Sequence, residues 1–291
     1  MRTFIQYAFY PIILGLVFLG CYLGLRWFSK AELIYVPGLC LLFTLPLMIT
    51  GEFLLMYRKD WDEAKGEFWS DFFSSLVVLP TASKLAEFLI PVLFFYPVIW
   101  LVNHDWISLT KYEFSFGVEL LLAILASEFF YYWTHRAFHK LKFLWRFHSI
   151  HHGAERVYWM NSGRFHFIEA FISGFFYFFP LVILGVSEDV LICVVSISGV
   201  TGFVEHINVD FKAGFLNYVF NTAQHHRWHH SIIEKESNRN YGKTLILWDL
   251  LFGTFYLPRN KEVEEVGVDE NVPHNVVRQF VYPFRKMPKG E

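Results

Sequence analysis

The stretch FSFGVELLLAILASEFFYYWTHRAFH, residues 114–139, runs some twenty largely apolar positions straight into two histidines. About 20 such residues, at ~1.5 Å rise each, cross the hydrocarbon core of a bilayer. Phe114 to about Trp133 therefore reads as a membrane span that delivers His135 and His139 to one face. The rest of the composition agrees: 54% of the chain is hydrophobic, 18% is charged and 34 of its 291 residues are Phe. A soluble domain carries about 25% charged residues, so lipid must be part of this protein's solvent. The predicted fold is all-α, a polytopic membrane helical bundle. A net charge of -2 gives no basic excess that would indicate nucleic acid.

Further spans are predicted at Tyr7 to Phe28, Leu33 to Met56, Leu85 to Val102 and Phe167 to Val186, with a shorter one at Val190 to Val204 after a Ser187-Glu188-Asp189 break. The shortness of the last suggests a re-entrant hairpin, and Phe72 to Leu79, too short to cross, suggests an interfacial segment. Three organisational regions follow: an N-terminal transmembrane region (1–113), a histidine-bearing region (114–260) and a polar tail (261–291). Placing the histidines inside leaves three of the 25 basic residues on the far side, Arg26, Lys30 and Lys111. Cytoplasmic loops carry the positive excess, so the histidine site is expected to face the cytoplasm, in a bacterial inner membrane or endoplasmic reticulum. Cys21, Cys40 and Cys193 read as isolated apolar-segment thiols.

Thirteen histidines are present and most fall in three motifs. His135 and His139 form HxxxH. His148-Ser-Ile-His151-His152 has the form HxxHH, and it returns as His226-Arg-Trp-His229-His230, preceded by His225. Positions i, i+3 and i+4 share one helix face, about 5–6 Å apart, so the motifs present two and three imidazoles each. Lone HxxxH pairs arise by chance; three motifs together do not. Headgroup contact is better served by Lys and Arg. Eight motif histidines exceed the four ligands of one tetrahedral zinc and suit two ions. The absence of HExxH argues against zinc-protease chemistry. Paired haem ligands do not come in such triplets, and a metal carrier would string polar groups through its spans. Two iron ions serving oxygen chemistry remain.

Tyr131-Tyr132-Trp133-Thr134-His135-Arg136, the two HxxHH boxes, Arg164-Phe165-His166 before Glu169, His206-Ile207-Asn208 and Trp248-Asp249-Leu250-Leu251-Phe252-Gly253-Thr254 together resemble the fatty acid hydroxylase and sterol desaturase superfamily, over about Ser127 to Leu257. The resemblance implies a non-haem di-iron site held by His135, His139, His148, His151, His152, His206, His226, His229 and His230, with His166 as a weaker candidate. It leaves His225 out, and His104 and His274 read as structural or solvent-exposed. Asp249, Asn240 and Glu155 are candidates to orient ligating rings through their second nitrogen, as metal-bound histidines require. After His152 the chain reads Gly-Ala-Glu, a departure from the Ser-Ser-Glu of ether-lipid cleaving members.

The implied activity is O2-dependent hydroxylation or desaturation of a lipid: sterol, fatty acyl chain, carotenoid or alkylglycerol. Phe129, Phe130, Tyr131, Tyr132 and Trp133 are candidate walls of the substrate site, although ordinary packing accounts for most of them. Electrons must come from a separate donor, cytochrome b5-like, ferredoxin-like or an NAD(P)H reductase, for which Arg136, Lys140, Lys142 and Arg146 form a candidate docking patch. The rival readings are a zinc-dependent membrane hydrolase and a non-catalytic metal-binding membrane protein.

Overall fold

A computed structural model of the protein describes residues 2–103 and 112–285. His104 and Lys111 lie outside the described residues. Helix α1 (Arg2–Trp27) and α2 (Val36–Leu54) pair through a short 3-10 turn at Lys30–Tyr35. Helix α3 (Phe68–Phe73) runs through one π-helical segment, Ser74–Val78, into α4 (Leu79–Asn103). Helix α5 (Phe116–Lys140) breaks at Leu141 into α6 (Lys142–His152). Helices α7 (Phe167–Ile183) and α8 (Glu188–His206) follow. Short helices α9 (Ala223–His229), α10 (Glu234–Ser237), α11 (Leu247–Leu251) and α12 (Val276–Val281) complete the chain. Only isolated bridges, and no strand, occur among the described residues.

Among the described residues five stretches are long and apolar enough to cross a membrane: Arg2–Trp27, Lys30–Leu54, Phe68–Ile90, Phe116–Lys140 and Glu188–His206, with Phe167–Ile183 a shorter apolar helix. Their outer faces present Phe18, Leu42, Phe43, Leu76 and Phe88 to the surroundings, which only lipid can cover at this density. Two expectations change. Phe72 to Leu79 does not lie apart in the interface, because the π segment keeps the backbone helical from α3 into α4. The last helix is the full-length member of its hairpin. Ser187 caps it by accepting from Val190 N–H, and Glu188 and Asp189 occupy its first turn, where carboxylates favour the helix dipole. The supposed break is a helix start.

Helix association in lipid relies on close packing through small residues. Gly20 and Gly24, a GxxxG pair, supply it on α1: an added Cβ would stand 2.6 Å from Cys40 Sγ and 2.5 Å from a Val36 methyl. The three cysteines are not isolated in space, since all three enter one core where α1, α2 and α8 meet. That core joins Tyr10–Leu55 to Cys193–Ala223, so the N-terminal region and the histidine region share packing.

Buried charge ties the same regions together. Arg164 donates to Asp71 at 2.8 Å with both side chains fully buried, and Tyr158 donates to the other Asp71 oxygen at 2.9 Å. Arg156 pairs with buried Glu67 and donates to Trp61 O at 3.0 Å. Breaking such a pair by removing one partner costs several kcal/mol because a charge is left uncompensated, ~3–5 kcal/mol. The described part of the 261–291 tail docks back: Val263 and Val266 pack with Trp61, Val157 and Trp228, and Gln279 accepts from Ser70 at 2.9 Å.

Candidate metal centre

Four elements end at one place. Helix α5 contributes His135 and His139 from its last turns, α6 contributes His148, His151 and His152, α8 ends on His206, and α9 with its C-cap contributes His226, His229 and His230. Helix α9 is only seven residues long, and Thr222 starts it by accepting from Gln224 N–H at 3.2 Å. The rings form two groups. His135, His139, His148, His152 and His229 bring one nitrogen each within 4.8 Å of one another, as do His151, His206, His226 and His230. All nine histidines singled out from the sequence are gathered. His152 and His230 stack between the groups at 4.4 Å.

The hydrogen bonds fix which nitrogen carries the proton. His135 Nδ1–H donates to Tyr241 O at 2.8 Å, and His229 Nδ1–H donates to Arg239 O at 2.8 Å. His151 and His206 donate likewise to Arg164 O and Gly202 O, each at 3.3 Å. His148 Nδ1 is bonded to the carboxylate of Glu169. The Nε2 atoms of these rings are therefore bare, yet they face one another. His135 and His148 Nε2 are 3.1 Å apart, His151 and His206 are 3.3 Å apart, and His148 and His139 are 3.0 Å apart. Converging lone pairs repel unless a cation sits between them. Two imidazoles on one first-row ion, each about 2.1 Å from it at 90–110°, stand about 3.0–3.4 Å apart. The donor set fits two metal ions.

Electrostatics agree. Burial first, and the neighbouring histidines second, hold His151, His152, His226 and His230 well below the ordinary imidazole value, and burial does the same to His229. They are neutral at pH 7, which ligation requires.

The other candidates fall elsewhere. His166 caps α7 by accepting from Ile168 N–H at 3.1 Å, with its other nitrogen 3.3 Å from Phe280 O, outside both groups. His225 also stands outside them; its ring accepts from Thr222 N–H at 3.3 Å, and burial pushes it down to about 3. His274 lies 3.8 Å from Glu155, which also pairs with Lys65 at 3.2 Å and touches none of the nine rings. Asn240 donates to His225 O at 3.1 Å and Tyr256 O at 2.8 Å, so it braces the backbone around α9. Asp249 acts through one peptide: it accepts from Tyr241 and Gly242 N–H at 2.8 and 2.7 Å, holding the carbonyl that His135 uses. Burial pushes Asp249 up to about 6 against those bonds.

Sequence reasoning missed the partners that touch rings directly. Glu169 is one; Glu205 comes near, 3.9 Å from His226 Nδ1, but is beyond hydrogen-bond reach and accepts instead from Asn221 at 3.2 Å. Glu169 follows Arg164-Phe165-His166 by a few residues, a signal that was available. Arg164 itself serves twice, burying its guanidinium on Asp71 while its carbonyl orients His151.

A cavity of about 260 Å³ opens beneath the rings between α4, α5, α7 and α8, with histidines of both groups in its wall. It exists because α8 presents Ser198, Gly199 and Gly202 to it, and α7 presents Ala170 and Gly174. Of the five candidate aromatic walls only Tyr131 lines it; Phe129 packs on Trp248, Phe130 on Phe179, Trp133 on Phe252, and Tyr132 is bonded to Thr254. Arg136, from the candidate docking patch, donates to Tyr132 at 3.1 Å and covers the Trp133 ring.

Comparison with known proteins places this architecture. The ornithine lipid hydroxylase OlsE of Rhizobium tropici is 30% identical over 97% of this chain and 85% of its own length. The alkylglycerol monooxygenase of Xenopus tropicalis is 32% identical over 48% of this chain, which spans 31% of that protein. Human lathosterol oxidase is 28% identical over 52% of this chain and 50% of its own. No solved structure matches. The family model for fatty acid hydroxylase matches residues 120–254, a span that contains all nine gathered histidines, and the chain belongs to that family, within the fatty acid hydroxylase and sterol desaturase superfamily.

Proposed function

We propose that this protein is a non-haem di-iron hydroxylase of a membrane lipid, with ornithine lipid as its first candidate substrate. The observation that carries the reading is the convergence of nine imidazoles on two foci beside a cavity inside the bundle. The near full-length similarity to an ornithine lipid hydroxylase supports hydroxylation over desaturation and points to the substrate. The overall reaction inserts one oxygen atom of O2 into a C–H bond and reduces the other to water, consuming two electrons and two protons. Iron is preferred over zinc because imidazole serves both, but only iron supplies electrons to O2.

His135, His139, His148, His152 and His229 would hold one ion, and His151, His206, His226 and His230 the other. Bound there, the ions supply the oxidising chemistry, as cofactors do for reactions that side chains cannot perform. The chain does the rest. Backbone carbonyls of Tyr241, Arg239, Arg164 and Gly202 keep the imidazole protons on Nδ1, so Nε2 is always ready for metal. Phe165, stacked on His151 at 4.6 Å, and Tyr131, at 5.5 Å from His135, shield the rings from water on the cavity side. The small residues of α7 and α8 leave room for a chain that enters from the bilayer. The histidine end faces the cytoplasm in this reading, where a separate redox protein delivers electrons.

The test is lipid mass spectrometry in a host that makes ornithine lipid. Expression of the protein is expected to add one oxygen, about 16 mass units, to that lipid. A loss of two hydrogens would replace hydroxylation with desaturation, and an unchanged lipid profile with iron-loaded protein and a working electron donor would refute the substrate.

A further inference from the structure

Two charged side chains, Glu205 and Lys243, line the cavity, and Lys243 stands outside both histidine groups. Lys243 comes from the loop between α10 and α11, and that loop is pinned twice. Buried Glu128 accepts from the N–H groups of Lys243, Thr244 and Leu245 at 3.1, 2.9 and 3.2 Å, and Thr244 bonds Thr201 of α8 at 3.1 Å. The Lys243 stem crosses Gly202, where an added Cβ would stand 3.7 Å from Cε. Its ammonium reaches Ser198 Oγ and lies 4.8 Å from the Tyr177 ring and 5.9 Å from Tyr131. Ser198 precedes His206 by eight residues of one helix, about 12 Å along its axis. Lys243 thus stands in the depth of the cavity, away from the rings.

A charge at this depth is costly and marks function by default. An ammonium has three donors, and Ser198 Oγ is the one oxygen partner of Nζ among the described residues. Around the ammonium the cavity is walled by Tyr131, Tyr177 and the small residues of α8, with the histidines and Glu205 further along the wall. Glu128 lies behind the Lys243 loop and Glu205 shares the cavity wall, so an anion entering here would meet carboxyl groups as well as the ammonium, whereas a neutral oxygen would not be opposed.

We propose that Lys243 is the specificity-determining residue of this cavity: it donates to a neutral oxygen of the lipid, an ester or amide carbonyl or a hydroxyl, and so fixes which methylene lies beside the histidines. The inference rests on the lipid hydroxylase reading and deepens it.

The test is binding, read apart from turnover. Iron-loaded full-length protein in detergent is offered hexadecane, hexadecan-1-ol, methyl palmitate and palmitate in competition, and retained probe is counted by native mass spectrometry. Wild type is expected to favour the ester and the alcohol over hexadecane about tenfold, as one hydrogen bond to a charged donor allows. Lys243→Met is expected to erase that preference while hexadecane binding and iron content stay unchanged. Equal binding of all probes by wild type, a preference that survives in Lys243→Met, or palmitate favoured over its methyl ester would each overturn the proposal. Should Lys243→Met fail to fold, Lys243→Gln replaces it and is expected to lose most of the preference; full retention overturns the proposal too. Intact preference with no hydroxylation of ornithine lipid would defeat the proposed function alone.

Discussion

Glu169 offers the sharpest perturbation of the site. It is 1% exposed and its carboxylate holds His148 Nδ1, whose Nε2 in turn faces His135 at 3.1 Å, His139 at 3.0 Å and His152 at 3.1 Å. His148 is therefore the hub of the five-histidine group. Glu169→Gln keeps shape and an acceptor oxygen but removes the charge. A charge-assisted bond is worth roughly twice a neutral one of about 1 kcal/mol, so about 1–1.5 kcal/mol of support for the ring is lost. Such partners tune metal affinity about 10–100-fold; Gln is expected near the low end and Glu169→Ala, which leaves the ring unsupported, near the high end. The assay is chelator competition followed by iron counting. The five-histidine site is expected to empty first, taking occupancy from two ions per chain towards one, while Glu205→Gln weakens the four-histidine site beside His226. Wild-type retention in both Glu169 variants, with helicity intact, would refute the claim that this carboxylate sets the ring.

Other consequences are separable. Gly199→Phe adds a ring where an added Cβ meets nothing within 4 Å, in the cavity wall; hydroxylation is expected to fall at least tenfold with iron content unchanged, and normal turnover would mean the cavity is not the substrate's. Gly24→Leu forces a side chain into Val36 across the α1–α2 contact; overpacking of about 1–3 kcal/mol is expected to lower the melting temperature in detergent by several degrees, and an unshifted melt would discount the GxxxG contact. Burial holds His151, His152, His226, His229 and His230 low when folded. Their contribution is present above the unfolded value of about 6.5 and is lost as pH falls below it. Metal-stripped protein is expected to melt progressively lower from pH 7 to pH 5, and a flat profile contradicts neutral burial.

Hydropathy made the spans legible, because about twenty apolar residues leave few alternatives to a membrane helix. Periodicity made the ligand set legible: i, i+3, i+4 spacing puts His148, His151 and His152 on one face whatever the tertiary fold. What sequence could not reveal were partners brought in from far along the chain. Asp71 and Glu67 lie in a region with no motif, yet they meet Arg164 and Arg156 across some ninety residues. Backbone carbonyls, which orient His135 and His229, carry no residue signature at all. Asn240 and Glu155 were chosen for their chemistry, but the first braces the peptides at His225 and Tyr256 and the second lies out at Lys65. The full length of the last helix was legible in its capping, since Ser187 with two following carboxylates spells a helix start as clearly as a loop.

Metal stoichiometry of the purified chain tests the central claim most directly, by elemental analysis joined to Mössbauer spectroscopy of protein grown on ⁵⁷Fe. Two coupled irons per chain, both lost when His148 and His226 are replaced together by alanine, are the expected result. A chain that holds only zinc, or one that hydroxylates lipid with no iron bound, would contradict the account.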